Sequence, residues 1–210
     1  MKTSTAKILR EYGPFEGVDA VHGLTFDGRH VWFATGGALK ALDTDSGSAA
    51  QSIDVAADAG TAFDGKHLFQ IADGHIQKID PATGSVIATI PAPSSDGNSG
   101  LAWAEGSLWV GQYRDRLIHQ VDPATGKVLR TITSNRYVTG VTWVDGEFWH
   151  GTWEDGTSDL RRLDPETGEV LETIDMPPET AVSGLESNGE DRFFCGGSSS
   201  GLIRVVARPD

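Results

Sequence analysis

The chain has 210 residues, of which 38% are hydrophobic and 26 are glycine, and it has one cysteine, Cys195. This length predicts one domain, and a single cysteine excludes an internal disulfide. The 17 basic and 30 acidic residues give a formal net charge of −13, which argues against a nucleic-acid partner because a polyanion would be repelled. With no apolar stretch of ~18 residues and no secretory signal at its start, we expect a cytoplasmic monomer that does not enter a membrane.

Five copies of one sequence unit follow each other along the chain. Each unit has a glycine, a short apolar strand, a turn and a second apolar strand. The units begin at Gly23, Gly60, Gly100, Gly140 and Gly184. Their spacings of 37, 40, 40 and 44 residues are close to the ~40–45 residues of a four-stranded propeller blade. The sequence therefore predicts an all-β, five-bladed β-propeller that forms a single domain over residues 1–210.

The third unit shows the expected strands of one blade most clearly. They cover residues 101–103, 107–111, 117–121 and 127–132. The third and fourth strands are joined by a D-x-x-[ST]-G turn, in which Asp accepts backbone hydrogen bonds and Gly takes the left-handed conformation. Copies of this turn begin at Asp43, Asp80, Asp122 and Asp164. We interpret them as structural turns.

The fifth unit lacks a fourth strand, because little sequence follows Val206. Residues 6–12 at the N-terminus resemble the fourth-strand segments at 126–131 and 168–173. An N-terminal strand that completes the last blade would close the ring and remove an open sheet edge. We therefore expect residues 6–12 to form the outer strand of blade five.

The two faces of such a ring differ in sequence. One face carries the repeated turns, and the other carries loops that vary from blade to blade. The variable loops are residues 13–22, 56–59, 91–99, 133–139 and 176–183, together with 35–37, 72–74, 112–116, 152–159 and 196–201. Repeat scaffolds commonly bind ligands through divergent loops. We expect a pocket on this variable face, at the mouth of the central channel.

Three residues differ in type from the residues at the equivalent positions of the other units, and they are candidates for acid/base catalysis. Glu186 stands where the other units have Thr or Ala, His22 precedes the glycine of the first unit, and His150 lies in the second strand of the fourth unit. Imidazole and a partly desolvated carboxylate are suited to proton transfer near neutral pH. We expect Glu186, His22 and His150 to face one polar pocket. The alternative is a degenerate fifth blade with Glu186 in channel water.

At the second-strand position that His150 occupies in the fourth unit, the second and fifth units have Gln70 and Cys195, whereas the first and third units have Phe or Val. No cofactor is predicted. As an alternative, His22, His150 and Cys195 come from contiguous blades and could be ligands of a divalent metal ion such as zinc in the channel. Lone His and Cys residues are more often part of a core.

Ligand-binding candidates lie mainly in the loops that follow the second strands. Trp and Tyr offer rigid apolar area with one polar group, so a small-molecule partner is expected to contact this face. The candidates are Gln70, Gln112, Tyr113, Arg114, Trp153, Glu154 and Cys195.

The blade pattern resembles that of the plant and bacterial glutaminyl cyclases, also called glutamine cyclotransferases, which are five-bladed propellers. The resemblance rests on residues 100–103, 126–129 and 163–168 and covers nearly the whole ring. The streptogramin B lyases are similar blade by blade and share the D-P-x-T-G turn. The resemblance implies a cyclotransferase-like or lyase-like enzyme.

The site residues of these families are largely replaced here. His22 stands where the cyclases have Gln, Phe33 where they have an acidic residue, and Thr139 where they have Asn; the E-x-H pair of the lyases is absent. Two hypotheses follow. The first is a lyase or cyclotransferase that uses His22, Glu186 and His150 on a small molecule. The second is a non-catalytic propeller that binds a small molecule, peptide or protein on the same face.

Overall fold

A computed structural model describes residues 2–209, which contain 21 β-strands and no helix that could span a membrane. The strands form five antiparallel blades around one axis, with a parallel strand added to the outside of the fourth blade. The predicted five-bladed, all-β propeller is confirmed.

Every blade has its strands in sequence order from the axis outward, except where the N-terminal segment enters the sheet. The strands of the first three blades are β3 (Leu24–Phe26), β4 (His30–Ala34), β5 (Gly36–Asp43) and β6 (Ala49–Ala57); β7 (Thr61–Phe63), β8 (Leu68–Ala72), β9 (His75–Ile79) and β10 (Val86–Pro91); and β11 (Asn98–Ala104), β12 (Ser107–Gln112), β13 (Leu117–Val121) and β14 (Val128–Thr133). The remaining strands are β15 (Val138–Val144), β16 (Glu147–Thr152), β17 (Asp159–Leu163) and β18 (Val170–Asp175) in blade four, β19 (Gly184–Ser187), β20 (Arg192–Gly196) and β21 (Ile203–Ala207) in blade five, and β1 (Lys2–Thr5) and β2 (Ile8–Tyr12) at the N-terminus.

The N-terminal segment closes the ring by joining two blades. Strand β2 pairs antiparallel with β21, with Tyr12 opposite Ile203, and supplies the fourth strand of blade five. This confirms the expected closure. Strand β1, which the sequence analysis did not anticipate, pairs in parallel with β18 of blade four. The backbone amide of Ala6 also donates to the Asp175 carbonyl at 2.8 Å, so one segment ties blade four to blade five.

The repeated glycines explain how five strands meet at the axis. A Cβ added to Gly100 would lie 2.6 Å from the Val141 amide nitrogen, and one added to Gly140 would lie 2.4 Å from that of Leu185. Such distances leave no room for a side chain. The five glycines Gly23, Gly60, Gly100, Gly140 and Gly184 thus form a ring of backbone contacts, which we call the glycine ring. It closes the axis and divides it into two ends.

Aromatic residues of the second strands pack between blades. Trp32, Trp109 and Trp149 are almost completely buried, and each side chain of this kind contributes on the order of 2–3 kcal/mol through burial. We call the end with the variable loops the upper end. The lower end carries the tight turns within the blades, and Asp122 there accepts hydrogen bonds from the amides of Ala124 and Thr125 as its turn sequence predicts.

Candidate functional site

A pocket of about 580 Å³ lies on the upper end, above the glycine ring. Its volume is in the range of small-molecule sites. The lining residues are His22, Asp58, Ala59, Asn98, Ser99, Tyr113, Thr139, Trp153, Glu179, Ala181, Val182, Ser183, Gly197, Ser198, Ser199, Ser200 and Arg204. All except Arg204 belong to the loops that the sequence assigns to the variable face. We call this site the upper pocket.

The first and last blades hold His22 in this pocket. Its amide donates to the Ala34 carbonyl at 2.9 Å, and its own carbonyl accepts a hydrogen bond from the Ser183 hydroxyl at 3.2 Å. Burial lowers the pKa of the His22 imidazole, and the charge of Asp58 opposes that shift without reversing it. The imidazole is therefore neutral at pH 7 and able to accept a proton.

Three buried polar atoms of lining residues have no hydrogen-bond partner within residues 2–209. They are Asn98 Oδ1, Thr139 Oγ1 and Arg204 Nη1. Buried polar groups in native proteins normally have partners. One donor, one acceptor and a hydroxyl that can be either thus lack a partner among the residues that line the pocket.

Arg204 is the lining residue that lies outside the loops predicted from the sequence. It lies in β21, where its Nε donates to the Glu11 carboxylate of β2 at 2.8 Å. A sequence pattern could have identified it. In each blade, one third-strand residue pairs with the second-strand position of His150 and its equivalents, and this residue always has a long polar side chain. The five residues are Lys40, Gln77, His119, Arg161 and Arg204.

Aromatic residues form one wall of the upper pocket. Tyr113 and Trp153 line it, and the ring of Tyr113 packs on that of Tyr137 with centroids 4.9 Å apart. Arg116 lies over the other ring of this pair and forms an ion pair with Glu154. Glu154 is thus engaged at the rim outside the lining residues.

Arg114 is exposed and is not a lining residue. Of the loop residues predicted to bind a ligand, the structure therefore places Tyr113 and Trp153 in the pocket and leaves Arg114 and Glu154 outside it.

The expected convergence of Glu186 with His22 is wrong. Glu186 lies at the lower end, on the other side of the glycine ring from the upper pocket. The hydroxyls of Thr25 and Thr142 donate to its carboxylate at 2.7 and 2.5 Å, and the amide of Ser187 donates at 2.8 Å. Burial raises the pKa of Glu186, although these hydrogen bonds oppose the shift. The carboxylate links blade five to blades four and one.

His150 does not reach the pocket either. It is fully buried beside Arg161, and neither ring nitrogen forms a hydrogen bond of good geometry in the described part of the chain, although the Gly151 backbone lies close enough to oppose the pKa shift in part. Burial, with a contribution from the charge of Arg161, lowers the pKa of His150 to about 4. His150 is a neutral core residue, so its expected place beside His22 is also wrong.

Three further candidates of the second-strand region lie in blade interiors. Gln70 is fully buried and hydrogen-bonds to Thr61 and to the carbonyls of Ala59 and Ile71. The Gln112 Oε1 atom accepts a hydrogen bond from His119 Nε2 at 3.0 Å. Burial raises the pKa of the Cys195 thiol to about 12. None of the three lines the upper pocket, because their side chains are enclosed by their own blades.

The possible metal ligands are divided in the same way. His22 lines the pocket, whereas His150 and Cys195 are buried in blades four and five. Within residues 2–209, no group of three or more His, Cys, Asp or Glu side chains could hold a metal ion.

The ring of blades and its loop-lined pocket define a five-bladed β-propeller of the kind that carries its site on one end of the axis. A family model described as a repeat of unknown function (DUF6923) matches residues 59–185, more than half of the chain. The chain belongs to this family. No curated protein matches it in sequence.

Solved structures share the fold. Glutaminyl cyclase from Myxococcus xanthus is 21% identical with a TM-score of 0.81, and the match covers 100% of this chain and 99% of that one. The WD40 propeller domain of Doa1 is 21% identical with a TM-score of 0.57, covering 89% and 63%. Hydrazine synthase from Kuenenia stuttgartiensis is 16% identical with a TM-score of 0.55, covering 86% and 57%. The resemblance to glutaminyl cyclase is therefore confirmed for the fold.

Proposed function

We propose that the protein is an enzyme of the cyclotransferase or lyase type that acts on a small polar molecule in the upper pocket. The observation that carries this proposal is the presence of a neutral imidazole, His22, in the same pocket as three unpartnered polar atoms. A positioned base next to groups that can orient a substrate is what general acid/base catalysis requires.

His22 is the proton-transfer group of this proposal. In the cyclisation of an N-terminal glutaminyl residue, the amino nitrogen attacks the side-chain amide carbon, and a carbon–nitrogen bond to ammonia breaks. His22 takes the proton from the attacking nitrogen and returns it to the leaving ammonia. Asp58 and Glu179 line the pocket and supply negative charge for the substrate amine, while Arg204 is placed to donate to an oxygen.

The test is ammonia release from a glutaminyl dipeptide by the purified protein. The variant His22→Ala should lose ~10²–10⁴-fold in kcat, the usual contribution of a positioned base. His75→Ala is the matched control, because His75 is exposed and lies outside the upper pocket, and it should keep full activity. Wild-type protein without turnover, or His22→Ala with wild-type turnover, would contradict the proposal.

A second candidate is a non-catalytic binder that uses the same pocket. The observation that favours it is the placement of Glu186 and His150 away from His22, which leaves the imidazole without the expected acid/base partners. A binder would retain its ligand when His22 is replaced, and would lose it when Trp153→Ala removes the aromatic wall. Calorimetry on both variants with any ligand that raises the melting temperature separates the two functions.

A further inference from the structure

A second concave site lies at the lower end of the axis, away from the variable loops. It has a volume of about 270 Å³, slightly below the ~300–1,000 Å³ of typical ligand pockets. Four half-buried aromatic side chains from four different blades line it: Phe26, Phe63, Trp103 and Trp143. Glu186 of the fifth blade also lines it. We call this site the lower cup.

The aromatic rings of the lower cup are held by the blades behind them. Trp103 stacks on Phe69 with centroids 5.6 Å apart, and Trp143 stacks on Trp109 at 6.4 Å. Because the second ring of each pair is buried in the core, the first is fixed in position. A rigid aromatic site loses little conformational entropy when a ligand binds.

These aromatic pairs already attract positive charge at their outer ends. The Lys78 ammonium lies 5.4 Å from the centroid of Phe69, and the Arg130 guanidinium carbon lies 5.0 Å from that of Trp109. Both distances are within the ~6 Å range of cation–π contacts. On the side of Trp103 and Trp143 that faces the cup, no Lys or Arg of residues 2–209 makes a cation–π contact.

The carboxylate of Glu186 contributes charge but little hydrogen-bonding capacity. The hydroxyls of Thr25 and Thr142 and the amide of Ser187 donate to it, and the backbone of Phe26 also lowers its pKa. A carboxylate has about four acceptor positions, so these donors occupy most of them. Burial is the largest cause of its pKa shift, and no basic side chain is among the causes that follow it. When the carboxylate is ionised, it therefore attracts a cation that enters the cup.

We infer that the lower cup binds a small organic cation with a fully methylated ammonium group, such as the trimethylammonium head of a choline-like molecule. A primary ammonium needs three hydrogen-bond acceptors when it leaves water, and the occupied carboxylate cannot provide them. A methylated ammonium has no N–H groups to satisfy. It gains from aromatic surfaces and from a nearby negative charge, which is the combination that the cup offers.

Calorimetry with choline chloride at constant ionic strength tests this inference. Choline should bind with one site per chain, and its neutral isostere 3,3-dimethylbutan-1-ol and methylammonium should each bind at least about tenfold more weakly. The N-methyl proton signal of choline should shift upfield when the protein is added. Absence of choline binding, or equal affinity for the alcohol or for methylammonium, would overturn the inference.

Variants locate the binding site. Glu186→Gln and Trp103→Leu should each weaken choline binding about tenfold or more. Glu179→Gln removes the same charge from the upper pocket and should leave choline binding unchanged within about twofold, because the glycine ring separates it from the cup. If Glu179→Gln and Glu186→Gln weakened choline binding equally, choline would be attracted by the net charge of the protein alone, and the assignment of the site would be overturned.

The size of the cup favours a free small molecule as the source of the ammonium group. Choline should therefore bind at least as tightly as a trimethyllysine peptide or phosphatidylcholine vesicles. Tighter binding of the peptide or the vesicles would overturn this assignment. Because turnover at His22 plays no part in these measurements, they are independent of the proposed enzymatic function.

Discussion

The two ends of the propeller axis are built from the same strands but carry opposite kinds of surface. At the upper end, loops of different length bring together polar side chains such as His22, Asp58 and Glu179. At the lower end, the tight turns bring aromatic residues of equivalent position to one cup. This difference shows that a repeated unit can leave one end free to vary when the other end carries the regular turns.

Local hydrogen bonds make the lower end regular. Asp27 accepts from the amides of Arg29 and His30 and from the Trp32 indole at 2.7 Å. One side chain therefore fixes both the turn and the aromatic residue that packs behind it. The upper end depends instead on contacts between blades, such as the Ser183 hydroxyl of blade five with the His22 carbonyl of blade one.

Removal of the N-terminal strands should have the largest effect, because both ends depend on the closed ring. Deletion of residues 1–12 removes β2 and leaves β21 as an open edge. We expect loss of cooperative unfolding or of soluble expression. Deletion of residues 1–5 removes only β1 from a blade that already has four strands, so it should lower Tm but preserve the fold.

Circular dichroism melting curves of the two truncated proteins check this prediction. A melting curve for the protein without residues 1–12 that coincides with the wild-type curve would rule out closure by β2. Similar losses for both truncations would mean that β1, which spans the seam between blades four and five, matters as much as β2.

The next largest effect is expected from the glycine ring that separates the two ends. A Cβ at position 100 would lie 2.6 Å from the Val141 amide nitrogen and 2.8 Å from backbone atoms of Gly140. Because backbone atoms of an adjacent strand cannot move without shifting the blade, Gly100→Ala should lower the free energy of unfolding by about 3 kcal/mol or more.

Gly37→Ala is the matched control for the ring. No atom lies within 4 Å of a Cβ added at Gly37, and its φ is not in the left-handed region. Its free energy of unfolding should stay within ~0.5 kcal/mol of the wild-type value in urea titrations. Equal losses for Gly37→Ala and Gly100→Ala would show that the close approach of the blades at the axis is not limiting.

The fold was predictable from the sequence because its signals repeat. The spacing of the glycines and the D-x-x-[ST]-G turns recur along the chain with the period of a four-stranded blade, and the missing fourth strand after Val206 indicates closure by the N-terminal segment. The position of the upper pocket followed from the same periodicity, since the loops before each glycine lie at one end.

The residues of the candidate site were harder to predict. Alignment of the five units shows which position of the blade a residue occupies, but it does not show which end of the axis the side chain faces. His22 precedes its glycine and Glu186 follows its glycine by two residues, so the ring lies between them. The columns also did not distinguish a buried polar residue that has partners, such as Gln70, from one without them, such as His150. That difference depends on atoms of neighbouring strands.

The smallest effect is expected from His150, which is buried in blade four and whose protonation is linked to folding. Its pKa is about 4 in the folded protein and ~6.5 in an unfolded chain, so the unfolded chain binds the proton more readily. The stability contribution is therefore complete above pH 6.5 and is lost as pH falls from 6.5 to 4. The shift corresponds to about 3 kcal/mol when the loss is complete.

The variant His150→Gln should remove that part of the pH dependence and still fold. In blade two, the amide of Gln70 donates to the carbonyls of Ala59 and Ile71, and the repeat places the carbonyls of Thr139 and Gly151 in the equivalent positions. The amide of the new residue therefore has acceptors.

The decrease in the free energy of unfolding between pH 6.5 and 4, measured with urea, should be smaller by up to about 3 kcal/mol than in the wild type. His75→Gln, at an exposed position, is the control and should retain the wild-type slope. Identical slopes for His150→Gln and the wild type would mean that folding does not lower the pKa of His150, which would contradict the burial of its ring.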